Sequence, residues 1–377
     1  MNLVEWIFWS TASLVAYTYI GYPLLVAALS LLRKPILPPA LSDAELPDVT
    51  VLMAAHNEAR QLPGKIANLL AQDFPADRLR ILIVSDGSTD GTERLLGEQR
   101  NVRVLASAQR KGKAHALNLG MAAITTDIVV FCDVRQQLAA LALRHLVSDL
   151  MDRRVGAVSG ELMHRSESTA AGGSIGLYWR YEKFIRKAES RLHSPPGATG
   201  ALFAMRRRDW KPLRPGTILD DFETPMQIVR EGGRVLLDPR AMAWDDLQAD
   251  TRGERRRKIR TLGGNYQSFA MNPWLFLPWR NPIWWQFMSH KVLRLLAPYA
   301  LLGCFVTSLL GRGPMLGLAA WLQGAFYAAA LLGYVAPGAR RNRVVSFAQV
   351  FCDMNFAAVI ALVRFVGGTL DARWEKA

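Results

Sequence analysis

The sequence predicts an α/β domain with a mixed, mostly parallel sheet, flanked by membrane-spanning helices. Apolar, β-branched runs at residues 49–53 and 81–84 are joined by an amphipathic segment that carries Ile66, Leu69 and Leu70. This strand–helix–strand pattern is typical of neighbouring parallel strands. Charged residues are nearly absent from residues 6–32 and scarce in residues 295–365, whereas residues 33–280 are charged like a soluble domain.

Four segments are long and apolar enough to cross a bilayer: residues 6–32, 292–310, 315–335 and 345–366. The first is too long for the apolar core of a signal peptide and has no basic stretch before it. The predicted organisation is a membrane helix at 1–32, a globular domain at 33–270, an interfacial helix at 271–291, membrane helices at 292–367 and a tail at 368–377.

Two amphipathic segments, residues 175–192 and 274–288, could lie in the membrane interface. For the first of them, packing against the domain's own sheet is an equal alternative.

Basic residues in the connections predict the orientation. Arg33 and Lys34 follow the first membrane segment, and residues 340–343 add three arginines between the last two. Because cytoplasmic connections carry an excess of Lys and Arg, the globular domain is expected in the cytosol, at the inner or plasma membrane, with both termini outside. Asp353 and Arg364 lie inside the last segment, where charges usually face protein or a polar path.

The net charge of +14 would suit a nucleic-acid partner, but no recognised nucleic-acid motif is present, so none is expected. A basic face also suits anionic lipids and a nucleotide diphosphate. Cys132, Cys304 and Cys352 are far apart and lack metal-ligand spacing, which predicts no disulfide framework.

Polar clusters follow both strands of the first unit. The cluster that contains Glu58 comes after the first strand, and an Asp-Gly-Ser-Thr-Asp-Gly-Thr turn that begins at Asp86 comes after the second. Ligands bind at the carboxyl ends of parallel strands, where these carboxylates could accept hydrogen bonds from a base or a ribose. Taken alone, the heptamer also fits a turn and a helix N-cap at Thr89 or Asp90.

Two further elements place charged residues at the same carboxyl edge of the predicted sheet. Lys113 follows a glycine at a helix start, which favours a phosphate contact, although a solvated charge cluster has the same pattern. A third apolar strand at 128–132 ends in Asp133, and Arg135 lies two residues later.

The second half of the domain contains three more candidates. A small-residue loop around Gly200 would allow a ligand to approach the backbone closely. Asp220 and Asp221 are adjacent carboxylates, and their repulsion would raise the pKa of one, as suits a general base; acids in a first helical turn are the alternative. Arg257 and Arg260 belong to a basic run that could instead bind acidic lipids.

These motifs, in this order, resemble the membrane-integrated, polysaccharide-synthase-like members of glycosyltransferase family 2. The resemblance spans about residues 47–265 and implies a Rossmann-like nucleotide-sugar-binding (GT-A) domain. It implies Asp221 as the general base beside Asp220, Lys113 and Arg260 as diphosphate contacts, and interfacial helices in the two amphipathic segments. The other residues expected to bind substrate are Glu58, Asp86, Asp133, Arg135, Gly200 and Arg257.

Two departures from the family pattern bear on the chemistry. Arg135 stands where the family has the second acid of Asp-x-Asp, which weakens a hard-cation site, and it could offset diphosphate charge directly. Mg²⁺ or Mn²⁺ is still expected, at Asp133. Thr261 replaces the tryptophan that stacks under the acceptor sugar in processive members.

The expected function is inverting transfer of a hexosyl or N-acetylhexosaminyl unit from a nucleotide sugar, UDP-linked, to a growing polysaccharide or a lipid-linked glycan. Export or accessory subunits are possible partners. The alternative is a catalytically inactive, membrane-anchored nucleotide-binding partner in a glycan assembly complex. The sequence leaves the sugar, acceptor, linkage, processivity and oligomeric state open.

Overall fold

The computed structural model describes residues 2–93, 101–164, 172–245 and 251–371. The helix expected to begin after Asp90 and the last part of the tail, residues 372–377, lie outside this part of the chain. The strands are β1 (Val49–Ala55), β2 (Leu79–Asp86), β3 (Val102–Ser107), β4 (Ile128–Cys132), β5 (Gln137–Leu138), β6 (Val155–His164), β7 (Leu202–Arg206) and β8 (Arg234–Asp245). The α-helices are α1 (Leu3–Ala16), α2 (Tyr22–Leu31), α3 (Leu62–Leu70), α4 (Lys113–Ala123), α5 (Ala142–Leu150), α6 (Gly172–Leu192), α7 (Asp220–Arg230), α8 (Thr251–Met271), α9 (Trp284–Gln286), α10 (Leu293–Leu310), α11 (Pro314–Val335) and α12 (Arg343–Val366).

The strands form one sheet in the order β3-β2-β1-β4-β7-β6-β8-β5. Strands β3, β2, β1 and β4 are parallel, as are β6 and β8, whereas β7 runs antiparallel to both of its neighbours and β5 runs antiparallel to β8. The predicted mixed, mostly parallel sheet is therefore confirmed. Its carboxyl edge collects the loops that follow β1, β2 and β4, because parallel strands end at the same edge.

Both faces of the sheet are covered. Val51 and Met53 of β1 belong to the core beneath α3 and α5, whereas Leu52 faces the second core, with α4 and α7. This alternation follows from the two-residue repeat of a strand. In the second core the Phe131 and Phe203 rings stack with centroids 4.6 Å apart. Apolar residues on both faces explain why these strands are continuous hydrophobic runs.

Four helices are long and apolar enough to cross a membrane: Leu3–Leu31, Trp284–Leu310, Pro314–Val335 and Arg343–Val366. The first comprises α1, a π-helical turn (Tyr17–Gly21) and α2; the second comprises α9, a π-helical segment (Phe287–Val292) and α10. These first two helices pack antiparallel to each other, since Tyr17 contacts Ser289 (2.8 Å between the hydroxyl oxygens) while Phe8 packs near Cys304.

The segment predicted as one interfacial helix at 271–291 is divided in the structure. Pro273–Phe276 form a short 3₁₀ helix, and Trp284 already begins the apolar helix that continues to Leu310. Pro278 and Pro282 lie between the two and, lacking an N–H group, do not support a continuous helix. The other amphipathic segment forms α6, which packs on α2 through Ile185 and Ala188.

The end of α12 corrects the predicted topology. Ala357 and Ala361 pack on Ile259 of α8, and the rings of Phe365 and Tyr266 stack with centroids 6.0 Å apart. The following residues, 369–371, line the same cavity as Asp221. The end of α12 thus lies beside the globular domain, which does not fit the prediction that the chain after this helix is across the membrane from that domain. Small alanines let the helix dock closely on α8, which hydropathy alone does not reveal.

Candidate active site

A cavity of about 1350 Å³ lies at the carboxyl edge of the sheet and extends to the apolar helices. All but one of the predicted site residues line it: Glu58, Lys113, Asp133, Arg135, Gly200, Asp220, Asp221, Arg257 and Arg260. The exception is Asp86.

The loops after β1 and β2 are bound to each other, as the strand pattern predicts. The Asn57 backbone has a positive φ of 54°, and its side-chain oxygen accepts a hydrogen bond from the Thr89 amide at 2.7 Å. The Glu58 amide donates to the Thr92 hydroxyl at 3.0 Å. These contacts hold Glu58 at the cavity wall.

Asp86 differs from its predicted role as a direct nucleotide contact. Its side chain is fully buried, and its two carboxylate oxygens accept hydrogen bonds from the amides of Lys111 and Gly112, each at 2.8 Å. Gly112 has a φ of 95°, which favours glycine. Asp86 therefore fixes the basic loop that leads into α4, and through it the position of Lys113.

Lys113 connects two acidic elements that are distant in sequence. Its Nζ lies 3.1 Å from Asp133 Oδ1 and 3.2 Å from Asp220 Oδ2. Burial alone would lower the pKa of Lys113, but the charges of Asp133, Asp220 and Asp221 outweigh it and raise the pKa. The ammonium group therefore stays charged and offsets the carboxylates at this end of the cavity.

Asp221 has the properties of a general base. Burial raises its pKa to about 6, the charge of Asp220 adds to the rise, and Lys113 and Lys291 oppose it. It lies in the first turn of α7, and its backbone carbonyl accepts a hydrogen bond from the Ala198 amide at 2.7 Å. A carboxyl group with a pKa near 6 is ionised at neutral pH and basic enough to take a proton from a hydroxyl group.

Arg135 lines the cavity, but its guanidinium group is bound to Asp245. Its Nε and Nη2 donate to the two oxygens of Asp245 at 2.9 and 2.7 Å, and Gln136 donates to the same carboxylate at 3.0 Å. A bidentate pair of this kind is strong and geometrically specific. Direct neutralisation of a diphosphate by Arg135, expected from the sequence, would have to compete with this pair.

The arginines of α8 approach the site from the side of the apolar helices. Arg260 is half-buried, and burial lowers its pKa while the charges of Asp220 and Asp221 oppose that shift. Arg257 lies one turn earlier on the exposed rim of the cavity. Thr261 lines the cavity at the position of the family tryptophan.

The residues present fit a divalent metal only together with a phosphate ligand. Among the described residues, no group of three or more His, Cys, Asp or Glu side chains could hold a metal ion. Asp133 contacts Lys113 through Oδ1, and 42% of its side chain is exposed. Mg²⁺ commonly binds through one or two carboxylates and substrate phosphates. Asp133 could therefore supply the protein ligand for a metal on a bound diphosphate.

Two cavity-lining cations had no recognised role in the sequence. In the sequence, Arg186 is one of several basic residues of the amphipathic segment 175–192, and Lys291 is a single lysine before an apolar run. Both line the cavity. The hydropathy pattern does not predict that either residue lies near Asp221, because helix packing brings them there.

The comparisons with known proteins agree with this geometry. Residues 50–212 match the family model described as "Glycosyl transferase family 2". This range, a little under half of the chain, is similar to glycosyltransferase family 2. It includes β1, β2, β4 and β7, and thus Lys113, Asp133 and Gly200; Asp221 and Arg260 follow the matched range.

Two curated relatives are similar to this chain over 237 residues each. A poly-β-1,6-N-acetyl-D-glucosamine synthase of Staphylococcus aureus is 23% identical, over 61% of this chain and 57% of its own length. The probable glycosyltransferase YdaM of Bacillus subtilis is 34% identical, over 59% of this chain and 56% of its own. The alignments thus span little more than half the length of these relatives.

A solved structure is similar over nearly the whole chain. The mannosyltransferase PcManGT of Pyrobaculum calidifontis, in complex with GDP-Man and Mn²⁺, has a TM-score of 0.73 and 26% identity, over 97% of this chain and 99% of its own. The predicted resemblance to family 2 and the predicted GT-A fold are confirmed.

Proposed function

We propose that the protein is a membrane-bound, inverting glycosyltransferase. It moves a hexosyl or N-acetylhexosaminyl unit from a nucleotide sugar, in the first instance UDP-linked, to a polysaccharide or lipid-linked glycan in cell-surface glycan synthesis. The observation that carries this proposal is Asp221, a half-buried carboxylate with a pKa of about 6 in the same cavity as Lys113, Asp133 and Arg260.

The reaction is a single displacement. Asp221 takes the proton of the acceptor hydroxyl, whose oxygen forms a bond to the anomeric carbon. The bond between that carbon and the diphosphate breaks, and its electron pair leaves with the nucleoside diphosphate. Lys113 and Arg260 offset the negative charge that develops on the leaving group.

Asp133 is the proposed protein ligand of Mg²⁺ or Mn²⁺. A bound metal would act as a Lewis acid on the diphosphate. Lys113 would then share Asp133 with the metal, since only one oxygen of that carboxylate contacts the lysine. Arg135 has a positioning role in this proposal, because its ion pair with Asp245 fixes the loop after β4.

The membrane arrangement supports a substrate that is handled at a bilayer. Four helices are long and apolar enough to cross it, and Arg33 and Lys34, which follow the first of them, favour a cytosolic catalytic domain. Export or accessory subunits remain possible partners.

A GDP-linked donor is the second candidate, because PcManGT was solved with GDP-Man. A catalytically inactive nucleotide-binding protein is the third. The pairing of Arg135 with Asp245 weakens this third candidate, because it accounts for the arginine without loss of the base.

The test is nucleotide release by the full chain in detergent, across UDP- and GDP-sugars, with Mg²⁺, Mn²⁺ or chelator. We expect turnover with one donor, loss of it with chelator, and loss of it in Asp221→Asn with nucleotide binding retained. Asp77→Asn, at an exposed position outside the cavity, is the matched control. Nucleotide binding without turnover in the unaltered protein, with every donor and with membrane-lipid extracts as acceptors, would favour the inactive alternative.

A further inference from the structure

We infer that the acceptor is a sugar carried on a lipid phosphate, with its tail between the π-helical turn Tyr17–Gly21, α6 and α12 and its phosphate on Lys291 and Arg186. This inference rests on the proposed function and specifies the substrate class of the same site. Three observations carry it: an apolar end of the cavity, two cations without carboxylate partners, and the chemistry of Asp221.

The cavity has an apolar end that reaches the surface of the membrane helices. Tyr19 lies at its centre, since its carbonyl accepts a hydrogen bond from the Tyr181 hydroxyl at 2.8 Å and its ring lies 5.2 Å from that of Phe351. The most exposed apolar residues that line this end are Ile20 (62% exposed), Leu177 (48%) and Phe347 (45%). Such an opening would face lipid, and an apolar chain that enters the cavity there would cover these exposed side chains.

The wall between this apolar end and Asp221 is cationic. Some of its cations already have carboxylate partners, because Glu182 binds Arg294 and Glu161 binds Lys183 at 3.3 Å. Two other cations of this wall have no carboxylate partner: among the described residues, neither Arg186 nor Lys291 forms an ion pair. Arg186 donates to the hydroxyl groups of Thr199 and Ser159 at 2.8 and 3.2 Å.

Lys291 has the fewest protein partners of this group. Its ammonium group forms no hydrogen bond with a described residue and lies over the Phe222 ring, 5.8 Å from the ring centroid. Partly buried charges are costly unless they are paired, so two such cations predict an anionic ligand. The proposed contacts of the donor diphosphate, Lys113 and Arg260, are separate residues, which leaves this pair for the acceptor.

The chemistry of Asp221 distinguishes a lipid-linked sugar from a bare lipid phosphate. A phosphate oxygen is already ionised at neutral pH and needs no general base to act as a nucleophile. A sugar hydroxyl does need one. Lys291 and Arg186 both interact electrostatically with Asp221, so an anchored phosphate would hold the attached sugar near the base. Asp221 then takes the hydroxyl proton, and the nucleoside diphosphate leaves with the electron pair of the broken bond.

The experiment uses the full chain in detergent with the radiolabelled donor identified by nucleotide release. Three acceptor probes are compared: a polyprenyl diphosphate that carries one hexosamine, the matching polyprenyl phosphate without sugar, and a soluble tetrasaccharide of the same hexosamine. Transfer is measured as radioactivity in the butanol or the water phase, and binding of each lipid is measured in parallel by native mass spectrometry.

We expect a butanol-soluble product from the sugar-lipid, at least tenfold faster than from either other probe. Lys291→Gln should raise KM for the sugar-lipid about tenfold, the loss expected for one charge-assisted contact, and leave KM for the donor within twofold. Ile20→Asn should act in the same direction through the tail. Arg312→Gln, in the exposed loop after α10, and Leu24→Asn, exposed to 61% outside the cavity, are the matched controls.

Equal or better transfer to the tetrasaccharide, exclusive use of the bare polyprenyl phosphate, or an unchanged KM for the sugar-lipid in Lys291→Gln would each overturn the inference. Nucleotide release that yields only water-soluble product would overturn it while leaving the proposed function intact. A chain that binds the sugar-lipid but releases no nucleotide from any donor would contradict the proposed function and still support the lipid site.

Discussion

Gly200 and Asp221 are in such close contact that a methyl group on the glycine would lie 2.9 Å from Asp221 Oδ2. That distance is shorter than a normal van der Waals contact, so any larger residue would displace the carboxylate. The small residue before β7 thus leaves space for the proposed base at the start of α7.

Gly200→Ala should therefore lower kcat by about one to two orders of magnitude, because displacing a base by a fraction of an ångström misaligns it with the acceptor. The donor KM should change little. Steady-state kinetics and the unfolding temperature would be measured together. Gly64→Ala in α3 is the matched control, because nothing lies within 4 Å of the methyl group that it adds. An equal loss of activity in both variants would contradict the proposed contact.

The pH dependence of the rate should report Asp221. Burial raises its pKa to about 6, and only the ionised form can accept a proton. The rate should therefore be constant above that pH and fall about tenfold per pH unit below it. Rates between pH 4.5 and 8, with folding checked by circular dichroism, would measure this limb. A profile that is flat down to pH 5 would argue against Asp221 as the base.

Lys113→Met should move that acid limb to higher pH. The positive charge of Lys113 lowers the pKa of Asp221, so its removal should raise the midpoint by about one unit. The donor KM should rise as well, because the variant lacks a proposed diphosphate contact. Lys211→Met, at an exposed position, is the control. A raised donor KM with an unchanged midpoint of the pH–rate profile would indicate that Lys113 is not close to Asp221 in solution.

Arg135 and Asp245 should act as a structural pair. The Asp245 side chain is only 5% exposed, so Arg135→Met would leave a buried carboxylate without its positively charged partner and destabilise the fold by roughly 3 kcal/mol. Adding Asp245→Asn should recover part of that loss. Thermal unfolding of the two single variants and the double variant tests this coupling. Additive losses, or a tenfold higher donor KM with unchanged unfolding, would instead favour a direct diphosphate contact.

Much of the site could be predicted from local patterns. Strands end where apolar runs end, and parallel strands end at one edge of the sheet, so Glu58 and Asp133 were expected together near Lys113. The structure brings all three to one cavity. The roles of Asp86 and Arg135 were less predictable, because hydrogen bonds to the Lys111 amide and to Asp245 depend on how separate loops meet.

The sequence by itself determined the resemblance to family 2, the mixed sheet and the four apolar helices, because these depend on motifs and on hydrophobic periodicity along the chain. Only the tertiary structure decided how remote segments meet. It pairs Arg135 with an aspartate 110 residues later, places Lys291 near Asp221, and packs α12 along α8. These contacts depend on packing and charge between distant segments, which no local pattern records.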